Sequence, residues 1–241
     1  MENKRFVRTE ALIGAKGMNN IKNSTVMIIG LGAVGGYALE AMARVGVGHL
    51  VLVDFDSFDE TNINRQILAT MASVGRKKTD VALERVKQIN PDCIVDIVDC
   101  FVDEDNIENL LSYKPDYIID AIDSIKQKCK LIRAMVEGNI NFISSMGAAL
   151  RIDASAIKIT TLNQTQNCSM ARTIRQNLKK QGTDLKKVKC VFSDEQSNLL
   201  STAIQPNENG GKQILGSLPT ITAIFGFMMA NYVMQQLIIK E

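Results

Sequence analysis

The chain has 241 residues, of which 46% are hydrophobic and 22% are charged, so it is long and apolar enough to bury a full globular core. Its formal net charge of +2 excludes a uniformly basic nucleic-acid-binding protein. Any nucleic-acid role must therefore come from local clustering of basic residues rather than from the field of the whole molecule.

Two features point to a reducing compartment. Charged side chains recur through the first ten residues, so the N-terminus lacks the apolar segment of a signal peptide. The five cysteines are widely spaced, and no two of them form the C-x-x-C pair of a zinc or redox site. We therefore expect a cytoplasmic protein.

Short apolar runs alternate with segments of helical spacing through the first 150 residues. The helical segments are 33–44 and 77–89, and Asn90-Pro91 stops the second. Such alternation predicts an α/β fold, with a doubly wound, mainly parallel, Rossmann-like sheet and helices on both faces. The apolar runs lie at 25–30, 49–54, 93–99, 116–121 and 141–145.

The pattern changes in the C-terminal third, which we expect to be an elaboration of the same sheet protein. The sequence predicts one domain over residues 1–241, with a nucleotide-binding core at 1–150 and a substrate-side extension at 151–241. Within the extension we predict strands at 157–163 and 189–193, a helix at 168–181, and an irregular loop at 194–213.

Residues 213–239 contain no charged side chain and are long enough to cross a bilayer. Pro219 stands near the start of the expected helix, where proline is readily tolerated. The polar side chains of the segment favour a buried core helix or a dimer-interface helix over membrane association. These side chains are Gln213, Ser217, Asn231, Gln235 and Gln236.

The stretch GLGAVGG, residues 30–36, places Gly30, Gly32 and Gly35 in G-x-G-x-x-G register between an apolar run and a helical segment. Glycines at these points permit a tight turn and a close approach of backbone to phosphate, although a glycine turn without a ligand shows the same letters. Asp54 ends the second apolar run, where a carboxylate can accept hydrogen bonds from ribose hydroxyls. Together these signals predict a nucleotide site.

Cationic residues favour ATP over NAD as that nucleotide. The sole histidine, His49, lies at a strand entrance and does not resemble the acid or base of a hydride-transfer site. Arg65, Lys77 and Lys78 follow the second strand and suit a triphosphate whose α-phosphorus is attacked. For the two lysines, a solvated helix start is the alternative.

Two carboxylates follow the fourth apolar run. Asp120 and Asp123 are expected at the carboxyl edge of the sheet, where a carboxylate can hold Mg²⁺. Either could equally cap a helix that begins at Ser124.

Residues 171–190 form the densest basic stretch of the chain, with Asp184 as their single acid. Such a stretch predicts contacts with the phosphates of a nucleic acid, and a solvated helix face is the alternative. The basic residues are Arg172, Arg175, Lys179, Lys180, Lys186, Lys187 and Lys189.

Five motifs, in this order and spacing, resemble the adenylation domain shared by ThiF, MoeB and ubiquitin-activating enzymes: GLGAVGG, DFDSFDETNINRQ, VGRKKTD, INPDC and IDAIDS. The resemblance implies an ATP-dependent adenylation of a carboxylate. It places Asp54 on the ribose, Asn62 and Arg65 near the phosphates, Lys78 on the phosphates, and Asp123 on magnesium.

Further stretches, YIIDAIDS, CVFS and LGSLPTITAIFG among them, resemble the tRNA threonylcarbamoyladenosine dehydratase (TcdA/CsdL) family from Arg5 to Ile239. This resemblance implies that the threonyl carboxylate of threonylcarbamoyladenosine in tRNA is adenylated and then attacked intramolecularly, which closes a ring and releases AMP. It also implies a homodimer in which an N-terminal arginine reaches the partner's ATP. Arg8 is the candidate and Arg5 the alternative.

Three other functions compete. An activator of a ubiquitin-like sulfur-carrier protein uses the same adenylation, but such relatives usually carry zinc-binding C-x-x-C pairs, which are missing here. An NAD-dependent oxidoreductase and a nucleotide-sensing module without chemistry need only the glycine motif. Cys168 and Cys190 are candidate carrier thiols for a sulfur-transfer partner protein, against a structural role favoured by the usual burial of cysteine.

Overall fold

The structure is a computed structural model that describes residues 4–196, 204–205 and 214–240. Its centre is a seven-stranded sheet in the order β3-β2-β1-β4-β5-β7-β6, in which every neighbouring pair is parallel except β6 and β7. The strands are Thr25–Ile29 (β1), His49–Val53 (β2), Ile94–Val98 (β3), Tyr117–Asp120 (β4), Phe142–Ser145 (β5), Ile157–Thr161 (β6) and Lys189–Ser193 (β7), and Ile204–Gln205 (β8) pairs with Ile214–Leu215 (β9) apart from the sheet.

Helices cover both faces of the sheet, as the alternating pattern predicts. Residues of α1, α2, α3 and α7 belong to one buried apolar cluster, and residues of α4, α5 and α6 belong to a second. The inner strands are buried along nearly their whole length because both of their faces are covered. The helices are Val7–Lys22 (α1), Gly35–Val45 (α2), Lys78–Ile89 (α3), Glu104–Leu111 (α4), Ile125–Glu137 (α5), Ser169–Lys180 (α6) and Pro219–Ile238 (α7).

The predicted extension continues the same sheet. β7 pairs with β5, and α6 packs on α5, so the predicted helix at 168–181 and the strand at 189–193 are confirmed. The strand predicted at 157–163 ends earlier, at Thr161, because Leu162–Gln164 forms a 3-10 helix. The loop expected at 194–213 lies largely outside the described residues.

The order of the strands places the functional edge of the molecule. β2 and β3 lie successively on one side of β1, and β4 lies on the other side of β1. The turns that leave β1 and β4 therefore diverge at one point of the carboxyl edge, which is where open α/β sheets bind their ligands.

Helix α7 is packed against the core. Gly226 allows it to touch α2 closely, since a Cβ there would lie 2.4 Å from the carbonyl oxygen of Val34 and 2.8 Å from the Cβ of Tyr37. Phe225, Met229 and Val233 are fully buried on this side. The helix has the length and hydropathy of a membrane span, but 44% of its most apolar 18 residues are buried in the fold, which suits the predicted core or dimer-interface helix.

Candidate nucleotide-binding site

The glycine turn after β1 is shaped by backbone contacts. Gly30 has a φ of +90°, and a Cβ there would lie 2.9 Å from the carbonyl group of Ala121 in the turn after β4. A Cβ on Gly35 would lie 1.7 Å from the carbonyl oxygen of Gly30. The fold itself therefore requires glycine at both positions.

Gly32 differs from its two neighbours in the motif. The nearest atom to a Cβ on Gly32 would be in the side chain of Gln66, at 3.8 Å, which is ordinary contact. Packing within the protein thus gives no reason for glycine here. A ligand that approaches the backbone closely would give one. Helix α2 begins beyond Gly32, at Gly35, without a side-chain cap, and a helix N-terminus of this kind favours anions.

Asp54 ties this turn to the end of β2. Its Oδ2 accepts a hydrogen bond from the amide of Leu31 at 2.6 Å, and its Oδ1 accepts one from the amide of Asp56 at 2.9 Å. The side chain is 9% exposed at the carboxyl edge, in the place expected of the ribose-binding residue. Each carboxylate oxygen has a second lone pair that remains available to a hydroxyl.

Lys78 is the first residue of α3 and is only 6% exposed. Its Nζ lies 3.0 Å from Oδ2 of Asp56 and 6.0 Å from the centre of the Phe58 ring. The helix dipole disfavours a cation at a helix N-terminus, so the Lys78 charge destabilises the start of α3. The carboxylate of Asp56 offsets this cost. Lys77 is exposed and binds Asp99 at 3.1 Å, so the structure separates the two lysines.

The segment that follows β2 folds over the glycine turn. Asp59 caps a short 3-10 helix, and Oδ1 of Asn62 accepts a hydrogen bond from the amide of Asp59 at 3.2 Å. Nη1 of Arg65 donates to the carbonyl oxygen of Thr61 at 2.8 Å and to Oδ1 of Asn64 at 2.9 Å. Asn62 and Arg65 thus hold their own turn, and their roles at the phosphates stay predictions.

Gln66 is the residue of this segment that stands beside Gly32, and sequence reasoning missed it. It is 7% exposed, and its Oε1 is buried with no hydrogen-bond partner among the described residues. Its position directly after Arg65 in the NRQ motif was the available signal.

The two carboxylates after β4 have different surroundings. Asp120 is fully buried and lies 2.7 Å from Nζ of Lys128, so the expectation of a magnesium ligand or a helix cap is wrong for Asp120. Asp123 is exposed at the carboxyl edge, and among the described residues it accepts no hydrogen bond. Burial lowers the pKa of Lys128, and the charges of Asp120 and Asp123 oppose that effect.

The predicted basic surface is divided between two edges of the sheet. Met170, near the start of α6, stands beside Gly147 just after β5, so Arg172 in that first turn is near the carboxyl edge. Lys179 and Lys180 end α6 at the other side. Lys186, Lys187 and Lys189 line a cavity of about 330 Å³ with Tyr117, Asn141 and Tyr232 at the amino edge.

Arg175 does not belong to that surface. It is half-buried, and its Nη1 donates to the carbonyl oxygens of Thr165 at 2.7 Å and of Leu162 at 3.4 Å. The guanidinium therefore satisfies backbone acceptors before α6, which corrects the prediction of a phosphate contact at this residue.

The N-terminal arginines lie away from the glycine turn of their own chain. Arg5 pairs with Asp92, which precedes β3. Phe6 packs against Gly46, which precedes β2. Both contacts are at the amino edge. Arg8 is exposed one turn later on α1.

The candidate carrier thiols are both buried. Cys168 is 5% exposed, and its Sγ accepts from the amide of Ala171 at the start of α6. Burial raises the pKa of Cys190 to about 12, so this thiol is protonated at neutral pH. These surroundings favour the structural role. Within the described parts of the chain, no group of three or more metal-ligating side chains occurs.

Comparisons with known proteins identify the family of the chain. The ThiF family model matches residues 6–241. The tRNA threonylcarbamoyladenosine dehydratase of Escherichia coli (strain K12) is 35% identical over 98% of this chain and 94% of its own. That of Bacillus subtilis (strain 168) is 41% identical over 79% of this chain and 75% of its own.

The same similarity extends to solved structures. The E. coli tRNA N6-threonylcarbamoyladenosine dehydratase in complex with ATP has a TM-score of 0.86 and 34% identity, and the match covers 97% of this chain and 93% of that one. Its complex with AMP has a TM-score of 0.87 and 35% identity, over 97% and 94%. The chain therefore belongs to the ThiF family and, within it, to the tRNA threonylcarbamoyladenosine dehydratases.

Proposed function

We propose that this protein dehydrates N6-threonylcarbamoyladenosine in tRNA at the expense of ATP. The threonyl carboxylate attacks the α-phosphorus, and pyrophosphate leaves. A nucleophile within the same modified nucleoside then attacks the acyl carbon, which closes the ring and releases AMP. One observation carries the proposal: at the strand switch point, just before the uncapped start of α2, Gly32 stands where packing within the protein does not require glycine.

The triphosphate is held by the amides at the start of α2 and by Lys78. As charge grows on the phosphate oxygens in the transition state, a preformed cation stabilises it more than it stabilises the ground state. The Lys78 ammonium has three N–H donors, so it can bind phosphate while it keeps its ion pair with Asp56. Arg65 and Asn62 need only side-chain rotation, because the bonds they make are to their own turn.

Asp123 is the residue that would hold Mg²⁺. Mg²⁺ in nucleotide sites is usually bound by one or two carboxylates together with the substrate phosphates, so one exposed carboxylate at this edge fits the ion. When bound, the ion neutralises charge on the phosphates. Asp123 supplies a negative group for it.

The active form is a homodimer. Arg5 and Phe6 are held at the amino edge of their own sheet, so an N-terminal arginine acts at a glycine turn only across a subunit boundary. Arg8, exposed on α1, is the residue that reaches the partner's ATP.

The tRNA is held by its phosphates on the basic side chains that remain exposed or line the amino-edge cavity. Contacts of this kind give affinity that falls with salt and leaves base recognition to the pocket. The residues are Arg172, Lys179, Lys180, Lys186, Lys187 and Lys189. The whole chain acts as one adenylation domain in the cytoplasm, and residues 151–241 form its substrate side.

The test is direct. The protein is incubated with ATP, Mg²⁺ and tRNA bearing threonylcarbamoyladenosine. The tRNA is then digested to nucleosides, and their masses are measured by mass spectrometry. We expect the loss of one water from the modified nucleoside with an equal amount of AMP. An unchanged nucleoside would contradict the proposal. Pyrophosphate exchange that depends on a small carrier protein would instead support the sulfur-carrier activator.

A further inference from the structure

A buried polar trio lies beneath the site. Asp120 of β4, Lys128 of α5 and Ser144 of β5 are all unexposed. Nζ of Lys128 lies 2.7 Å from Oδ2 of Asp120 and donates to Oγ of Ser144 at 3.1 Å, and that hydroxyl donates to Asp120 at 2.6 Å. The three side chains therefore form a closed ring of hydrogen bonds.

The stability of the fold gives no reason for this trio. Desolvation of two charges often costs as much as their attraction returns, and well-packed apolar residues commonly replace such pairs without loss of stability. The neighbouring strand positions, Ile119 and Ile143, are fully buried aliphatic residues. An apolar pair would suit these surroundings as well.

The trio is connected to the nucleotide site through the turn after β4. Oδ1 of Asp120 accepts a hydrogen bond from the amide of Ile122 at 3.3 Å. Ala121 donates to the carbonyl oxygen of Ile29 at 2.8 Å, and its carbonyl group occupies the space that Gly30 leaves open. Asp123 follows Ile122 in this turn. The charge of Lys128 interacts with the carboxylate of Asp123 as well as with that of Asp120.

We propose that Lys128 is a positioning residue that, through Asp120 and the turn after β4, holds the Asp123 carboxylate toward the glycine turn for the metal of the bound nucleotide. Lys128 touches neither nucleotide nor metal. The inference rests on the proposed function, because it assumes that Asp123 binds Mg²⁺. Groups behind a metal ligand commonly change metal affinity by roughly 10–100-fold when they are removed.

The test measures how Mg²⁺ concentration governs binding of a fluorescent ATP analogue to the full-length protein. We expect Lys128→Met to raise the Mg²⁺ concentration at half-saturation by roughly tenfold or more, with analogue binding in EDTA unchanged. Lys128→Arg, which keeps the charge, should restore most of the loss. Glu40→Gln is the control, because Glu40 is likewise a buried, ion-paired side chain, but its partner is Arg85 of α3 and not the turn after β4.

A Lys128→Met protein that is less stable in thermal melting, but has the wild-type Mg²⁺ dependence, would overturn the inference. If this variant does not fold, Ser144→Ala carries the test, since both charges remain, and a wild-type Mg²⁺ dependence there would overturn it equally. Asp123→Ala separates the two proposals. If that variant binds the analogue with unchanged Mg²⁺ dependence, the metal role of Asp123 fails, whatever the nucleoside assay shows.

Discussion

The Nζ of Lys78 lies 3.0 Å from the carboxylate of Asp56, at the one end of α3 where a cation is electrostatically disfavoured. The amide of Asp56 in turn donates to the Asp54 carboxylate, which accepts from the amide of Leu31 in the glycine turn. Lys77, the neighbour of Lys78, points to a different carboxylate, Asp99. The two adjacent lysines are therefore one buried residue and one surface residue.

Replacement of Lys78 by Ala should slow adenylation by roughly 100- to 1000-fold, because a preorganised charge at the phosphates is lost. Lys77→Ala is the matched control and should leave the rate within about a factor of two, since exposed ion pairs contribute little. Single-turnover formation of AMP with modified tRNA measures both. Equal rates in the two variants would remove Lys78 from the site.

Arg65→Ala should also slow adenylation, by about 2–4 kcal/mol in activation free energy, if its guanidinium leaves Thr61 and Asn64 for the phosphates. Asn64→Ala serves as the control, because it removes only a local partner of Arg65. The comparison uses the same single-turnover assay. An Arg65→Ala rate equal to that of Asn64→Ala would show that Arg65 only stabilises its turn.

Gly32→Ala and Gly35→Ala should separate ligand binding from folding. A Cβ on Gly32 meets nothing closer than 3.8 Å, so we expect a change in stability of about 1 kcal/mol or less, but a clear loss of ATP affinity. A Cβ on Gly35 would overlap the Gly30 carbonyl oxygen at 1.7 Å, and we expect a loss of about 3 kcal/mol or more. Thermal melting and binding of an ATP analogue test the pair. Wild-type ATP affinity in Gly32→Ala would place the nucleotide elsewhere.

Arg172→Ala and Arg175→Ala should affect different properties. Arg172 is exposed, and its loss should weaken tRNA binding and reduce the slope of log affinity against log salt by about one. Arg175 donates to backbone carbonyl oxygens, so its loss should cost about 2 kcal/mol of unfolding free energy with the salt slope unchanged. Filter binding across a salt series and urea unfolding give the two measurements. The opposite assignment of effects would refute the internal role of Arg175.

The stability contributed by Glu40 should depend on pH. Burial raises the pKa of Glu40, but hydrogen bonds and charge from Arg85 and Arg44 outweigh that effect, and the net pKa lies below the usual 4.5. A carboxylate whose pKa is lowered by folding stabilises the fold above its unfolded pKa and loses that contribution as pH falls through its folded pKa. Glu40→Gln should therefore be less stable than wild type at pH 7, and the difference should shrink below about pH 4.5. A difference that stays constant down to pH 3 would contradict this account.

Much of the fold and part of the site follow from local sequence. The apolar runs and helical segments alternate in the order that builds a parallel sheet. Each segment can be recognised from the spacing of its own apolar residues. The glycine turn and Asp54 lie at the ends of successive strands, which meet at one edge in any such sheet. The motifs from Gly30 to Asp123 also keep fixed spacing, and that spacing carried the family resemblance.

The sequence by itself therefore determined the α/β class, the glycine turn and the family. Only the tertiary structure decided which charged residues are available at the surface. Asp120 and Lys128 form an ion pair in the core, and Arg175 donates to a backbone carbonyl oxygen before α6. The basic run from Arg172 to Lys189 divides between opposite edges of the sheet. The physical reason is that secondary structure and turns follow from neighbours along the chain, whereas a charge is buried, paired or exposed according to segments that fold against it from elsewhere.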